Sequence, residues 1–136
     1  MARTPRDAGA VQSALAPHPS ASHDERVHLA AIHDTLYDGE MVHRLYRGHR
    51  GGIDLLAVTS QRVIMMERTA WDGHLALTSV PFSRVTAVSL LAQDDLDIDQ
   101  ATTVGLRVTS LSFLLHCADA DEAREAYDLI NWPLYH

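Results

Sequence analysis

The densest group of basic side chains lies in one short segment, residues 43–50, with the sequence HRLYRGHR. It contains Arg44, Arg47, Arg50 and two histidines, and such a group can attract a phosphate or an anionic lipid headgroup. The apolar segment that follows, residues 53–59, adds Asp54 and no cation. Arg44, Arg47 and Arg50 are therefore candidates either for anion binding or for contact with a protein partner.

An acidic segment, QDDLDIDQ, could supply carboxylate oxygens to calcium. A calcium loop would need a glycine after the third ligand and an acid at its end, but Gln100 and Leu106 occupy those positions. The histidines lack ligand spacing as well, since His28 and His33 are five residues apart rather than four. The sequence therefore predicts no metal site, and the acidic segment is interpreted as an exposed loop that could attract an Arg-rich hairpin of a neighbouring copy.

Two further patterns were candidates for catalysis. His116 and Cys117 are adjacent, but neighbouring residues of a strand point to opposite faces, which favours packing over a role as base and nucleophile. Gly48, Gly51 and Gly52 precede an apolar strand, whereas a phosphate loop precedes a helix and carries a Lys. We therefore expect no enzyme activity and no cofactor.

Composition narrows the class of protein. The chain has 136 residues, 46% of them hydrophobic, which is suited to one domain with a modest core. A formal charge of −7 argues against a nucleic-acid partner. The single cysteine indicates a reducing compartment, and neither a membrane span nor a secretory signal is present in the sequence. These features predict a cytoplasmic protein.

The periodicity of apolar residues changes along the chain. Residues 1–22 are rich in Ala, Pro and Ser and predict a flexible tail. Leu29, Ile32 and Leu36 have helical spacing, which predicts a helix over about residues 24–36. The domain is expected to occupy residues 23–136, and its last helix to cover about residues 119–131, with Asp119 and Glu122 at capping-box spacing and an end before Pro133.

Between the two helices, about residues 41–117 read as seven short antiparallel strands. Glycines and short polar turns separate the first three strands, and Pro81 is expected to end the fourth or to place it at an edge. In the later strands apolar residues alternate, as at Val104, Leu106 and Val108. A mainly β (α+β) fold follows, in which the sheet bends into a half-open barrel and the last helix closes one end.

The sequence also resembles a known family, the bacterial pleckstrin-homology-like domains. The segment LLAVTSQRVIMM is similar to the family's common LLALTDRRVIF, and SVPFSRVTAVSL is similar to its turn and fifth strand, fPYsrItsVe. A Gly-Glu pair stands before the first strand, glycines mark the first hairpin, and EAREAYDLI matches the closing helix. The resemblance covers about residues 38–132.

This resemblance implies a scaffold without shared catalytic residues that binds lipids, peptides or protein surfaces, or assembles with copies of itself. We hypothesise a non-catalytic interaction module that mediates protein contacts or self-association, with an unknown protein partner. The alternative is peripheral binding of an anionic lipid or phosphate headgroup through the arginines of the first hairpin. Trp71 could be an exposed anchor for a partner, or it could fold back over one end of the barrel.

Overall fold

The computed structural model describes residues 23–68, 74–93 and 96–135. Within these residues two α-helices flank seven strands, and two short 3-10 helices, Phe82–Arg84 and Ile98–Gln100, connect strands. The elements are, in chain order, α1 (His23–Thr35), β1 (Val42–Arg47), β2 (Ile53–Thr59), β3 (Arg62–Arg68), β4 (Leu75–Pro81), β5 (Ala87–Leu91), β6 (Thr103–Val108), β7 (Leu111–His116) and α2 (Ala120–Tyr135). The predicted tail, residues 1–22, lies outside the described residues.

The strands form two antiparallel sheets rather than one closed ring. The first sheet has the order β1-β2-β3-β4 and the second has the order β5-β6-β7. Pro81 pairs with Arg62 at the end of β4, which is an edge strand as predicted, because a proline has no N–H to donate to a further strand. The predicted half-open architecture, with one helix before the strands and one after them, is confirmed.

The inner faces of both sheets enclose the main core. Leu56, Val63 and Met65 from the first sheet meet Val104, Leu106 and Leu115 from the second, and all six side chains are at most 2% exposed. Ala123, Ala126 and Ile130 on one face of α2 complete this core at 0% exposure. Helix α2 therefore closes the space between the sheets, as the amphipathic pattern predicted.

A second apolar cluster lies on the outer face of the first sheet. Leu29, Ile32 and Leu36 pack there against Leu55, Ala57, Ile64 and Met66. The apolar run of β2 is nearly continuous because this strand is buried on both faces, by the main core on one side and by α1 on the other. The sequence predicted the helical face but not the surface that it covers.

The glycines of the first hairpin have two separate roles. Gly51 and Gly52 adopt positive φ angles of 82° and 68°, which a tight reversal permits at glycine. Gly52 also forms a β-bridge to Leu115, and a Cβ atom at this position would lie 2.4 Å from the carbonyl oxygen of Leu114. Gly52 therefore allows the first hairpin to approach β7, where the two sheets meet.

Helix α2 begins as predicted and extends beyond its predicted end. The Asp119 carboxylate accepts a hydrogen bond from the backbone N–H of Glu122 at 2.8 Å, and Glu122 accepts one from Ala118 at 3.2 Å. The helix includes Pro133 and continues to Tyr135. Pro133 lies in the last turn, so it removes one hydrogen bond near a helix end, where few bonds remain to be lost.

Candidate interaction surface

The three arginines of the first hairpin do not converge on one point. Arg44 donates to Glu125 of α2 at 2.9 Å and lies 5.4 Å from the ring centroid of Tyr46. The hydroxyl of Tyr46 donates to the same carboxylate at 2.8 Å. Burial and the nearby Glu125 carboxylate raise the pKa of Tyr46 far above its usual range, so the hydroxyl keeps its proton. Arg44 thus helps to hold α2 against β1.

Arg47 and Arg50 point elsewhere. Strand alternation places Arg44 on the face of Tyr46 and Arg47 on the face of Leu45, which packs with the outer cluster. Arg50 follows β1 and lines a groove beside β7. The fourth candidate, Trp71, lies outside the described residues.

A buried ion pair fastens the outer side of the first sheet. Glu40, which precedes β1, accepts from Arg62 of β3 at 2.8 Å and 2.9 Å, and its side chain is fully buried. Arg62 also donates to the backbone oxygen of Thr35 at the end of α1 and to the hydroxyl of Ser79 on β4, each at 2.7 Å. One guanidinium therefore joins α1, the segment before β1, and strands β3 and β4.

The ionisation of Glu40 follows from these contacts. Burial alone would raise the pKa of Glu40, but hydrogen bonds from Arg62, from the Thr59 hydroxyl and from the backbone of Tyr37 outweigh it, so the pKa is lowered. Hydrogen bonding to Glu40 likewise raises the pKa of Arg62 despite burial. Both groups stay charged, and the guanidinium nitrogens of Arg62 all donate to groups within the protein. This cluster is structural and leaves no charge for a ligand.

The outer face of the second sheet is built differently, and we call it the open face. The register of β5, β6 and β7 places three rows of side chains side by side on it. These rows are Leu91, Thr103 and His116; Ser89, Gly105 and Leu114; and Ala87, Arg107 and Ser112. In the described part of the chain, no helix packs over this face as α1 does over the first sheet.

Two leucines make the open face apolar at its centre. Leu91 is 43% exposed and Leu114 is 39% exposed. Gly105 lies between them, and a Cβ atom there would lie 3.3 Å from a Leu91 methyl and 3.8 Å from a Leu114 methyl. The two leucine side chains therefore lie over Gly105 and fill the space above it. Two shallow grooves, of about 580 Å³ and about 260 Å³, lie beside these leucines, and both are lined by Leu91 and Leu114.

Sequence reasoning missed Leu91 and Leu114 because it followed only the alternating residues that face the core. The available signal was the pair of adjacent leucines in each strand, Leu90-Leu91 and Leu114-Leu115. Within a strand, adjacent apolar residues point to opposite faces, so each pair predicts apolar surface on both sides of the sheet.

The connection between β5 and β6 borders the open face. Asp97 and Asp99 of the acidic segment are exposed there, whereas Asp94 and Asp95 lie outside the described residues. Leu96 and Gln100 of the same connection line the larger groove together with Arg50. The groove therefore has an apolar floor, and charges of both signs lie near its rim.

His116 and Cys117 point to opposite sides, as predicted. His116 lies on the open face, where its Nδ1 is 3.0 Å from the Thr103 hydroxyl. Cys117 is 6% exposed, and burial, with smaller contributions from Glu122 and Asp119, raises its pKa to about 12. The thiol is therefore protonated at neutral pH and is a poor nucleophile.

Two kinds of feature are absent from residues 23–68, 74–93 and 96–135. No group of three or more His, Cys, Asp or Glu side chains is arranged there to hold a metal ion. None of the helices in these ranges is long and apolar enough to cross a membrane.

Comparison with solved structures identifies the fold. A DUF1696 family protein with a pleckstrin-homology domain from Shewanella loihica PV-4 superposes with a TM-score of 0.53 and 17% identity, over 84% of this chain and 94% of that one. A pleckstrin homology domain from Shewanella amazonensis SB2B gives a TM-score of 0.50 and 18% identity, over 78% and 94% of the respective chains. The chain therefore has a pleckstrin-homology-like fold, like these bacterial proteins.

Sequence comparison adds nothing further. No protein-family model matches the chain, and no curated protein matches it. At this level of identity the solved structures establish the architecture alone, and the function has to be argued from the surface.

Proposed function

We propose that this protein is a non-catalytic pleckstrin-homology-like interaction module that binds protein through the open face. The observation that carries the proposal is the contrast between the outer faces of the two sheets. Helix α1 covers the outer face of the first sheet, whereas Leu91 and Leu114 remain exposed on the second. An exposed apolar patch rimmed by polar residues is typical of a protein contact.

The ionisable groups support a role without catalysis. The groups with a displaced pKa include Glu40, Tyr46 and Cys117. Glu40 and Tyr46 are held in structural pairs, and Cys117 is buried in the core. A catalytic acid or base would instead have to reach a substrate in a cleft. The single, buried cysteine also supports a cytoplasmic location.

Capture of partners on immobilised protein tests the proposal. We expect that wild-type protein retains a protein partner from a lysate of expressing cells and that Leu114→Glu loses it, because a charge replaces an apolar contact. Met41→Glu is the matched control, since Met41 is 56% exposed and lies just before β1, in the other half of the molecule. Equal capture by all three proteins would refute the open face as the binding surface.

The alternative function is binding of an anionic headgroup through Arg44, Arg47 and Arg50. The geometry favours it less, because Arg44 is paired with Glu125 and strand alternation directs Arg44 and Arg47 to opposite faces. Flotation with anionic liposomes tests it, comparing wild-type protein with the triple replacement of these arginines by Gln. Flotation of the wild type that the triple variant loses would support lipid binding instead of the protein contact.

A further inference from the structure

We propose that the partner of the open face is the open face of a second copy of this chain. Each strand of one copy then runs opposite to the same strand of the other copy. This inference rests on the proposed function and specifies its partner. A two-fold contact requires one patch that is complementary to itself in shape and in charge. The open face meets both requirements.

Its shape provides an apolar ridge and a groove on the same surface. Leu91 and Leu114 form the ridge, where they meet over Gly105. The smaller groove lies beside the ridge and is lined by the small residues Ala87 and Ser89 of β5. When two such faces stack, leucines of one copy can enter this groove on the other, as inner side chains do between packed sheets.

Its charge is divided along the strand direction. At one end the connection of residues 92–102 carries Asp97 and Asp99, both exposed, and no cation occurs in it. At the other end lie Arg107 on β6 and Arg84 just before β5, both exposed, and segments 82–88 and 105–113 contain no acid. Arg50 reduces the negative charge at the first end without removing it.

This division selects the orientation of the two copies. A two-fold axis parallel to the strands would stack the acidic connection on its own copy and Arg107 on its own copy. A two-fold axis that lies between the two open faces and runs perpendicular to the strands instead brings Arg107 of each copy to the acidic connection of the other. Opposite charges attract at the rim and like charges are kept apart, so the second arrangement is favoured.

The contact is expected to be weak. Three strands and five residues give a strip about 10 Å by about 17 Å, which is smaller than the ~800 Å² per partner of a standard interface. Residues 96–102, which lead into β6, must therefore contribute contact area. Association should be measured from about 1 μM to about 1 mM, the range in which a weak dimer forms.

Sedimentation equilibrium over this range tests the inference. We expect wild-type protein to form a dimer, Leu114→Glu to raise the dissociation constant about tenfold or more, and Met41→Glu to leave it unchanged. Thermal unfolding followed by circular dichroism verifies that both variants are folded. A wild type that stays monomeric at about 1 mM, or a dimer that Leu114→Glu does not weaken, overturns the inference.

A charge exchange tests the orientation. Arg107→Glu should weaken the dimer, and adding Asp97→Arg and Asp99→Arg should restore it, because the attraction is then re-formed with the signs reversed. Failure of the triple variant to recover association overturns the proposed orientation. If the wild type is monomeric but Leu114→Glu still abolishes capture of another protein, this inference fails while the proposed function stands; if the wild type neither self-associates nor captures protein, both fail.

Discussion

The two sheets of this fold both have apolar residues on their outer faces, but only one of these faces is covered by the part of the chain that the structure describes. On the first sheet, α1 buries Ile32, Ile64 and Leu55, and the Arg62–Glu40 ion pair fixes the segments around it. On the second sheet, Leu91 and Leu114 remain exposed beside a glycine. The comparison shows that one outer face is covered by the chain itself, whereas the other, in our proposal, is covered by a partner. Mutations on the two faces should therefore affect different properties.

The largest expected effect comes from the buried ion pair. Glu40→Gln removes the charge that balances Arg62 and should lower the free energy of unfolding by about 3 to 5 kcal/mol, because the guanidinium is left buried without a counter-charge. Chemical denaturation measures the change. The control is Asp128→Asn in the exposed pair with Arg124, whose N–O distance is 3.3 Å, and it should change stability by less than about 1 kcal/mol.

The effect of Glu40→Gln on stability should depend on pH. The pKa of Glu40 is lower in the folded protein than the ordinary glutamate value of 4.5, so the stability that Glu40 contributes is fully present above pH 4.5 and is lost as pH falls through the folded pKa. The stability difference between wild type and Glu40→Gln should therefore shrink below pH 4.5. A difference that stays constant down to strongly acidic pH would contradict the assignment of the ion pair.

A matched pair of truncations compares the two outer faces directly. Ile32→Ala should lower the free energy of unfolding by about 2 to 4 kcal/mol, since Ile32 is 0% exposed under α1. Leu114→Ala should lower it by only about 1 kcal/mol in dilute solution, because Leu114 is 39% exposed and less buried apolar surface is lost. Denaturation of both variants at low protein concentration measures this. Equal losses would mean that the second face is already covered within one chain.

The smallest effect concerns a carboxylate of the first sheet. Burial, and to a lesser extent the charge of Asp54, raises the pKa of Glu67, so the ionised form is disfavoured in the folded state. Glu67→Gln should therefore stabilise the protein at pH 7 by less than about 0.5 kcal/mol, and the gain should vanish at acidic pH, where Glu67 is protonated in both states. Thermal denaturation at two pH values detects it, and a gain that persists at acidic pH would contradict this cause.

Much of the architecture could be predicted from local patterns. The spacing of Leu29, Ile32 and Leu36 indicated a buried helix face, and Val104 and Leu106 alternate into the core as expected. These signals are local because a helix or a strand repeats every few residues, so a short segment contains the whole pattern.

The buried ion pair and the open face could not be predicted in the same way. Glu40 and Arg62 are 22 residues apart, and nothing in their sequence surroundings marks them as a pair. The open face depends on what packs over a sheet, and alternation specifies which residues share a face without specifying what covers it. The sequence shows that the arginines of the first hairpin are clustered, but it does not show that Arg44 pairs with Glu125 and holds α2 against β1.

The central claim is that two copies of this chain bind each other through the open face. Nuclear magnetic resonance of isotope-labelled leucine and isoleucine methyl groups, recorded as the protein concentration is raised, tests it most directly. We predict that the methyl signals of Leu91 and Leu114 shift with concentration while those of Ile32 and Ile64 under α1 do not. Shifts confined to the first sheet, to α1 or to the first hairpin, or no shifts at all, would contradict it.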